Sequence, residues 1–313
     1  MSKAYGSNAQ LIAAFESAYG VAPSDNFNKI SFSKYDVAAS QGLLDDDTLG
    51  NGRDPSKPTL DSISVGGGIS VPVDARSFGF WLKTALGEPV STGTGVVKHV
   101  FKSGAQTIPS LSLQIQNPEI PLYRTHMGAR VDSIDIDLQR SGLTTAQISL
   151  VAQGEQVNTS ALDDTLIQME SDRFSAFNGF IYKDGSQMGS VVSAKLKYSN
   201  GIDKIETIRA DGKIDGADPT NASVDGSITI RFDSTSLFNL ASNGTPIKLE
   251  MGYNAGSNKK LSFIVHEAYL SRPGVPIDGP KGIQVTFDFK GAKNTIAGCM
   301  LDVELTNDVE SYV

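Results

Sequence analysis

Alternation of apolar and polar residues with a period of two is the property that most narrows the possible folds of this chain. It is clear in residues 69–73, 111–115, 134–138, 228–232 and 283–289. Successive side chains of a β-strand point to opposite faces, so this alternation predicts strands with one packed face and one hydrated face. The 31 glycines among 313 residues supply many turn positions. We predict a mostly β protein with short helices, in which antiparallel sheets pack in two layers.

The alternating pattern also contains an internal repeat. Residues 64–89 resemble residues 223–246, and an offset of 159 positions carries Asp74 to Asp233. In both copies a strand pattern runs into an apolar helical pattern that ends at a glycine. Asp accepts hydrogen bonds from the free N–H groups at a helix start, and Gly favours a helix end. Each copy therefore predicts a strand, a capping Asp and a short helix.

Strand candidates downstream follow in the same order in both halves, which indicates two tandem copies of one β-domain. The matches are residues 111–115 with 261–265, 131–138 with 283–289, and 148–151 with 300–303. Residues 178–220 are harder to place. The domains that we assign are an N-terminal arm with a helix (1–25), a first domain (26–158), a linker (159–172) and a second domain (173–313).

Two segments outside the repeat have predictions of their own. Apolar residues at helical spacing predict a helix over residues 8–19, and Gly20 would end it. Residues 39–59 form a long polar segment that contains an Asp-Asp-Asp run. A polar segment of this length predicts an irregular loop, and long loops in compact domains are often functional.

Residues with catalytic or metal-binding chemistry are few and widely spaced. The single cysteine, Cys299, lies in an apolar run, which predicts a buried side chain and excludes a disulfide. His99, His126 and His266 have no ligand-like spacing, and no nucleophile, zinc or phosphate-binding motif is present. We therefore predict no enzymatic activity, no metal site and no cofactor.

Net charge narrows the classes of partner. With 27 Lys and Arg against 35 Asp and Glu, the chain carries a formal charge of −8. This balance argues against a protein that holds nucleic acid by charge, because phosphate binding depends on cationic side chains. No apolar stretch approaches the roughly 20 residues of a membrane span, and the N-terminus does not resemble a secretion signal. We expect no membrane partner.

Several segments, taken in order, resemble a known family. They are residues 9–23 (AQLIAAFESAYGVAP), 50–62 (GNGRDPSKPTLDS), 66–89 (GGGISVPVDARSFGFWLKTALGEP), 99–104 (HVFKSG), 109–116 (PSLSLQIQ) and 123–138 (YRTHMGARVDSIDIDL). Their order and pattern resemble the major tail tube proteins of siphovirus-type, long-tailed bacteriophages, specifically those with a duplicated tube domain. The resemblance spans nearly the whole chain and rests on pattern and order rather than on one invariant motif.

This resemblance implies a structural virion protein. Its fold would be two tandem tail-tube-like antiparallel β-sandwich or barrel domains, each with a flanking helix. Copies would form rings, with three copies per ring preferred and six as the alternative, and the rings would stack into a tail tube that conducts DNA during ejection. The partners would be other copies of this chain, the tape measure protein and transiting DNA in the lumen, and the tail terminator and distal tail proteins. The protein would assemble in the host bacterial cytoplasm and reside in the virion tail.

The implied lumen gives the acidic composition a role. An acidic or neutral wall lets DNA slide, since each Lys or Arg contact to phosphate adds affinity. Hydrated strand positions are the candidates for this wall, and orientation toward outer solvent is the alternative. The candidate lumen-facing residues are Ser133, Asp135, Asp137, Gln139, Gln284, Thr286 and Asp288.

The long polar segment is a second candidate site, a contact loop between stacked rings. The first 25 residues and the tail after Asn307 are candidates for the same role. Deletion of residues 42–56 is expected to leave a soluble protein that cannot polymerise. The candidate contact residues are Asp45, Asp46, Asp47, Asn51, Arg53 and Asp54.

Two other classes of protein share these patterns. A monomeric β-sandwich that binds ligands, such as an adhesin, would show the same alternation but would not need two copies of a helix-capped unit. A tail terminator or baseplate ring protein would share the fold family but would cap a tube instead of extending it. Electron microscopy of the purified protein separates the three as tubes, single rings or isolated particles.

Overall fold

A computed structural model describes residues 3–50, 52–277 and 279–313. Its described part is mostly β, with two α-helices, α1 (Phe78–Leu86) and α2 (Ser236–Asn243), and 3-10 turns at Gly6–Asn8 and Ala176–Asn178. The strands of the first half are β1 (Gln10–Phe15), β2 (Asn28–Ile30), β3 (Lys34–Tyr35), β4 (Ala38–Leu44), β5 (Thr59–Pro72), β6 (Val90–Thr94), β7 (Val96–Lys102), β8 (Leu111–Asn117), β9 (Leu122–Leu138), β10 (Thr145–Ala152) and β11 (Gly154–Asn158). Those of the second half are β12 (Gly179–Lys183), β13 (Ser186–Gln187), β14 (Val191–Ser199), β15 (Ile202–Ile205), β16 (Gly216–Pro219), β17 (Ser223–Arg231), β18 (Ile247–Asn254), β19 (Lys260–Leu270), β20 (Gln284–Ala292) and β21 (Leu301–Asn307).

One sheet, which we name the central sheet, runs through both halves of the chain. Its strand order is β4, β5, β10, β9, β14, β17, β20 and β19, and all neighbouring pairs are antiparallel. The C-terminal part of β9 pairs with β14, where Ile136 lies opposite Leu196. The two halves are therefore joined by a continuous β-ladder.

Two further groups of strands form a second layer. In the first half, the N-terminal part of β9 pairs with β8 and β11, and β1 and β2 extend the group beyond β8. In the second half, the N-terminal part of β19 pairs with β18 and β21, and β12 extends the group beyond β18. Strand β21 also pairs with β7, so the halves are joined here as well. Apolar side chains of both layers share one core.

The pairing register of the central sheet repeats between the halves. Ile69 on β5 and Ile228 on β17, which the sequence repeat aligns, occupy matching places. The neighbours of Ile69 are Tyr35 and Ile148, and those of Ile228 are Ala194 and Phe287. Tyr35 and Ala194 are 159 positions apart in the sequence, and Ile148 and Phe287 are 139 positions apart. The same neighbour relations therefore occur twice in the chain.

These relations correct the strand matches downstream of the helices. Strands β8, β10 and β11 pair with β9, and strands β18, β20 and β21 pair with β19 in the same arrangement. Strands β8 to β11 therefore correspond to strands β18 to β21. The three sequence matches, which began at residues 111, 131 and 148, were wrong by one strand. Alternation looks the same in every strand, and the first half contains an additional hairpin, β6 and β7, between its helix and β8.

The predicted helix over residues 8–19 was wrong, because Gln10–Phe15 form strand β1. The odd-numbered residues of β1 face the main core, whereas Ile12 and Ala14 pack with Phe27 in a separate cluster. A strand that is buried on both faces is apolar at consecutive positions, and such a run also contains helical spacing. Periodicity alone cannot separate the two structures.

The capping prediction was wrong for Asp233 and only partly correct for Asp74, which binds the turn that leads into α1 and not an N–H group within the helix, whose N-cap is Ser77. Asp74 Oδ1 accepts hydrogen bonds from the backbone N–H groups of Arg76 at 2.8 Å and Ser77 at 2.6 Å, directly before α1. Asp233 instead accepts a hydrogen bond from the Ser190 hydroxyl and does not cap α2. Both helices are followed by a glycine with positive φ, as predicted.

Two segments that were predicted to extend from the domains as irregular chain are partly ordered against them. Residues Ala38–Leu44 form β4 against β5, so the irregular part of the polar segment is confined to residues 45–58. The tail after Asn307 packs on its own chain, because Tyr312 is buried against α1 and Lys83 Nζ donates to the Tyr312 carbonyl oxygen at 2.7 Å. This tail is therefore less available for contacts between rings than the sequence predicted.

Glu16 ties together the end of β1, the start of β8 and the middle of β9, and its loss is expected to destabilise the first half. Its carboxylate accepts hydrogen bonds at 2.7–2.8 Å from two serine hydroxyls and two backbone N–H groups. Hydrogen bonds to charged groups contribute about 1.5–3 kcal/mol each, and their partners here would be left unpaired. We expect Glu16→Ala to lower the free energy of unfolding by about 2–4 kcal/mol in denaturant titration. The donors are Gly20 N, Ser110 Oγ, Ser112 Oγ and Gly128 N.

Glu88→Ala is the control for this measurement. Glu88 pairs with Lys83 at 2.6 Å, but its side chain is largely exposed. Exposed ion pairs contribute at most about 1 kcal/mol, so this variant should stay close to wild type. Equal losses in the two variants would contradict the structural role of Glu16.

Candidate functional site

The central sheet has one apolar face and one polar face. Residues that pair across neighbouring strands lie side by side on the same face. The apolar face is buried in the core and includes Ile69, Ile148, Ile136, Leu196, Ile228 and Phe287. The residues between them point to the opposite side of the sheet, which we name the polar face.

Six of the seven predicted lumen residues lie on the polar face. They are Ser133, Asp135 and Asp137 on β9, and Gln284, Thr286 and Asp288 on β20. Gln139 follows the end of β9 and is exposed. Within the set, Ser133 is buried by its neighbours and Asp135 is half-buried, whereas the rest are exposed. The tertiary structure thus brings residues from both halves of the sequence onto one surface.

Charges on the polar face alternate in sign from strand to strand. One row runs from Asp135 on β9 through Lys197 on β14 and Asp225 on β17 to Lys290 on β20. Lys197 Nζ lies 3.8 Å from Asp135 Oδ2. Each charge in this row therefore has a neighbour of opposite sign.

The adjacent row alternates in sign only between β9 and β14, because its position on β17 is an uncharged serine. It runs from Asp137 through Lys195 and Ser227 to Asp288. Lys195 Nζ lies 3.5 Å from Asp137 Oδ1. Both side chains of this pair are about half exposed or more, so the contact adds at most about 1 kcal/mol to stability. Its main effect is on the charge of the surface.

The two rows together carry four acidic and three basic side chains. Arg231, which lies opposite Gln284 at the end of the strands, supplies the fourth cation, so this surface is neutral and not acidic. The four acidic residues are Asp135, Asp137, Asp225 and Asp288, and the four basic residues are Lys195, Lys197, Lys290 and Arg231. The net charge of −8 therefore does not arise from this surface.

Sequence reasoning missed the cationic half of the surface. Lys195 and Lys197 alternate with Ala194, Leu196 and Tyr198, which is a strand signal inside the segment that was hard to place. This signal was available in the sequence. Which strand lies beside β14 was not, because pairing with β9 is decided by the tertiary fold.

The predicted contact loop lies at the tip of the β4–β5 hairpin, in residues 45–58, which we name the hairpin tip. Its candidate residues Asp45, Asp46, Asp47, Arg53 and Asp54 are all exposed, and Asn51 lies outside the described residues. The Thr48 hydroxyl and backbone N–H both donate to Asp46, and these bonds lower the pKa of its carboxyl group.

Exposed leucines surround the hairpin tip. Leu49 is 94% exposed, and Leu43, Leu44 and Leu60 at the ends of β4 and β5 are more than half exposed. Contiguous exposed apolar side chains are typical of a surface that binds another molecule. The charged residues of this segment were the predicted contacts, and its exposed leucines were not predicted.

Both edges of the central sheet lack a partner strand in the described part of the chain. At one edge, β4 pairs with β5 on one side only. At the other edge, residues 271–277 continue from β19 without a strand assignment. Unpaired edges expose backbone N–H and C=O groups, which are templates for pairing with another chain.

Comparison with known families identifies this arrangement. A family model described as phage tail tube protein matches residues 6–291. The chain belongs to the phage tail tube protein family. No curated protein matches it in a sequence search. The protein is therefore a structural component of the bacteriophage tail, and the polar face and sheet edges are surfaces of a tube subunit.

One side-chain cluster of this tail tube subunit has donor atoms suited to a metal ion. His266, Cys299 and Asp302 place one donor atom each within 4.8 Å of one another. Asp302 contacts His266 Nε2 at 3.0 Å and Cys299 Sγ at 3.1 Å, and Lys102 Nζ lies 3.8 Å away. Burial and the nearby Asp302 carboxylate raise the pKa of Cys299 to about 11, which favours the protonated thiol. The Asp302 carboxylate therefore has three neighbours from its own chain, namely a histidine, a thiol and a lysine.

Within the described residues, neither helix is long and apolar enough to cross a lipid bilayer.

His126 makes the stability of the subunit depend on pH. The ring is fully buried, with Nδ1 2.7 Å from Tyr35 Oη and Nε2 2.8 Å from Glu155 Oε2. Burial lowers the pKa of His126, against the opposing effect of Glu155, so the folded state keeps it neutral. Below the unfolded pKa of about 6.5, the unfolded chain takes up a proton that the folded chain does not. Stability from this group is therefore present at neutral pH and lost as the pH falls.

The measurement is the thermal unfolding midpoint of wild type and His126→Gln between about pH 7.5 and pH 5.5. The wild-type midpoint should fall more steeply with decreasing pH than that of the variant, because only wild type carries the depressed histidine. Equal slopes in the two proteins would show that other groups cause the pH dependence.

Proposed function

We propose that this chain polymerises into rings that stack into the tail tube, with the polar face of the central sheet lining the lumen. The observation that carries the proposal is the sheet itself, which has one buried face, one neutral polar face and two open edges. Pairing between copies would fill the open edges, and closure into a ring would leave none. The lumen would then conduct DNA during ejection.

The repeated register supports two tandem copies of one tube domain in each chain. The first copy would occupy residues 26–158 and the second 173–313, with 159–172 as linker and 1–25 as N-terminal arm. Each copy contributes four strands to the central sheet, namely β4, β5, β10 and β9, then β14, β17, β20 and β19. Two domains per chain give a ring of six domains from three chains.

Barrel geometry favours three chains per ring over two. Neighbouring strands lie about 4.8 Å apart and tilt by about 40° from the axis, so three chains give a backbone diameter of roughly 45–50 Å. Side chains reduce the free width by about 5 Å on each side, and the remainder admits duplex DNA with room for its hydration. Two chains would give a diameter of only about 30 Å, which leaves little clearance.

Neutrality of the polar face supports its role as a wall for moving DNA. A cationic wall would bind phosphates and release counterions, and each contact would slow the DNA. On this face each Lys of β14 lies near an Asp of β9, so its charge is already compensated. The wall therefore offers DNA neither strong attraction nor strong repulsion.

The hairpin tip is the segment that we propose for contact between rings. It extends from the end of the central sheet where the β14–β17 hairpin also turns, so both long hairpins lie at the same end. Head-to-tail stacking would bring this end against the opposite end of the next ring. Its exposed leucines would be buried there, and its acidic residues would lie at the rim.

The remaining partners follow from a position in the middle of a tail. The lumen would hold the tape measure protein before DNA transits, and the two ends of the tube would meet the tail terminator and distal tail proteins. Assembly would take place in the host bacterial cytoplasm. The protein would act without catalysis and without a cofactor.

Electron microscopy and mass measurement of the purified protein test this proposal. Tubes built from rings of three copies are the expected result, and rings of six copies would correct the stoichiometry. Isolated monomers over a wide range of concentration and salt would favour a monomeric binding module. Closed single rings that never stack would favour a terminator or baseplate protein.

Charge reversal on the polar face tests the lumen assignment. In Asp135→Lys with Asp137→Lys, two ion pairs become a cluster of four lysines. Contacts between lysines and phosphates raise the affinity of a protein surface for DNA steeply at low salt. We therefore expect the rate of genome ejection to fall by about tenfold or more and to recover with added salt. The measurement is the rate of DNA release from purified phage that carries the variant.

A charge-swapped variant is the matched control. Adding Lys195→Asp and Lys197→Asp to the two changes restores neutrality with the signs exchanged. Ejection from this variant should return to near the wild-type rate. Normal ejection from the lysine-cluster variant would contradict the assignment of this face to the lumen.

A further inference from the structure

We propose that the junction between neighbouring copies repeats the internal β9–β14 junction residue by residue, with residues 272–277 of one copy paired antiparallel to residues 35–40 of the next. This inference rests on the proposed ring and adds the register of its subunit interface. One such junction, between β9 and β14, is present inside the chain. The two open edges carry residues at the positions that match β14 and β9.

The internal junction supplies the template. Leu138, Ile136 and Ile134 of β9 lie opposite Ala194, Leu196 and Tyr198 of β14. All six side chains belong to the buried core. Between them, the alternate positions carry the Asp and Lys residues of the polar face.

The repeated register transfers this template to the open edges. Residues of β14 correspond to residues 159 positions earlier, at β3 and β4, as the pairs of Ile69 and Ile228 show. Up to the bulge in β9, its residues correspond to residues 139 positions later, since Val131 pairs with Leu150 as Leu270 pairs with Phe289. The pairing of β9 with β10 shifts by one residue after Val131, and the transfer assigns the same bulge to Ser271, whose N–H donates to the Asp288 carbonyl at 2.7 Å. The apolar pairs that result are Ile277 with Tyr35, Val275 with Val37, and Pro273 with Ala39.

The side chains at the second edge fit this assignment. Ile277 is 75% exposed and Val275 is 38% exposed, although both are apolar. They alternate with Gly274 and Pro276, as one strand face alternates with the other. Transfer of the register places them over the core side of the next copy, so pairing would bury them beside Tyr35, which is half-buried, and Val37, which is already buried in the single chain.

Backbone groups at both edges have the required direction. The N–H of Asp36 donates to the Gly68 carbonyl at 2.9 Å, so the groups of Val37 point away from β5 to the open side. On the template strand, the Asp132 carbonyl accepts from Asn200 N, which directs Ile136 toward β14 and, by correspondence, Val275 toward the next copy.

Prolines at the second edge restrict the pairing to this register. Pro273 and Pro276 have no N–H, and proline is a common device for keeping an edge strand from unspecific pairing. In the assigned register Pro276 faces β20, and Pro273 costs only one hydrogen bond. A shift by one residue would direct Pro276 to the partner strand and turn Val275 and Ile277 to the polar face.

Disulfide trapping tests the register directly. Gly274 and Ala38 would be a non-hydrogen-bonded pair on the polar face, with Cα atoms about 4.5 Å apart, which suits a disulfide. Tubes of Gly274→Cys with Ala38→Cys should, after oxidation, run as two-copy and three-copy species in denaturing gels without reductant. No species above three copies is expected. The buried Cys299 is kept in all variants.

Gly274→Cys with Ser40→Cys is the out-of-register control, because Ser40 lies two positions further along the same face. Its cross-linked yield should be at least tenfold lower, since diagonal neighbours lie about 7–8 Å apart. If the glycine replacement prevents assembly, Pro276→Cys with Asp36→Cys tests the same register.

The outcomes separate this inference from the proposed function. Efficient trapping in the control pair, or none in the two test pairs while tubes form, would overturn the register and leave the tube intact. Absence of rings and tubes from the wild-type protein would overturn both.

Discussion

Replacement of Val275 and Ile277 by Asp is expected to abolish ring and tube formation while the monomer stays folded. Both side chains are exposed in the single chain, so the charges cost the monomer little. In the ring they would lie against the core of the neighbouring copy, and a buried, unpaired carboxylate costs several kcal/mol at each junction. Three junctions per ring multiply this penalty. Sedimentation and electron microscopy should show monomers at concentrations where wild type forms tubes.

Ile296→Asp is the matched control for this prediction. Ile296 is also a highly exposed isoleucine, at 94%, but it lies in the loop before β21 and outside the edge residues 35–40 and 272–277. This variant should form tubes as wild type does. The unfolding midpoints of both variants should agree with that of wild type under conditions that keep all three monomeric. Tubes of normal appearance from the Val275 and Ile277 variant would show that this edge is not a subunit contact.

Replacement of the hairpin tip by a short glycine-containing turn is expected to give rings that do not stack. The change removes residues 46–57 and keeps β4, β5 and the edge at residues 35–40. It differs from deletion of residues 42–56, which would also remove the end of β4 and so confuse ring closure with stacking. Three-copy particles in sedimentation, with no tubes by electron microscopy, are the expected result.

A point variant gives the same test with less change to the chain. Leu49→Asp alters one side chain that is almost fully exposed, and Leu49→Met is its conservative control. If leucine burial drives stacking, the Asp variant should need at least tenfold more protein to form tubes, and the Met variant should behave as wild type. Unchanged assembly of the tip-replaced protein would exclude the hairpin tip as a contact between rings.

The ring-edge and hairpin-tip variants differ in the species at which assembly stops. Edge variants should stop at the monomer, and tip variants should stop at the ring. Opposite or identical stopping points would contradict the assignment of the two surfaces to two different contacts. The pair of experiments therefore separates closure around the axis from growth along it.

Local features of the sequence were enough for the fold class and for the family. Period-two alternation predicted strands, and the glycines that end α1 and α2 were found where the sequence placed them. The same local reasoning failed for β1, because a strand buried on both faces has no alternation to detect. It failed again for Asp233, whose side chain is bonded to Ser190, a partner that sequence spacing cannot indicate.

The sequence by itself determined which positions alternate, and therefore which residues of each strand share a face with one another. It also contained the repeat that aligns Ile69 with Ile228. Only the tertiary structure decided which strands are neighbours. Strand order depends on contacts between residues far apart in the chain, and alternation is identical in every strand, so no local pattern encodes it. For that reason the pairing of the β14 lysines with the β9 aspartates was decided by the tertiary structure, and the surface around the predicted aspartates is neutral.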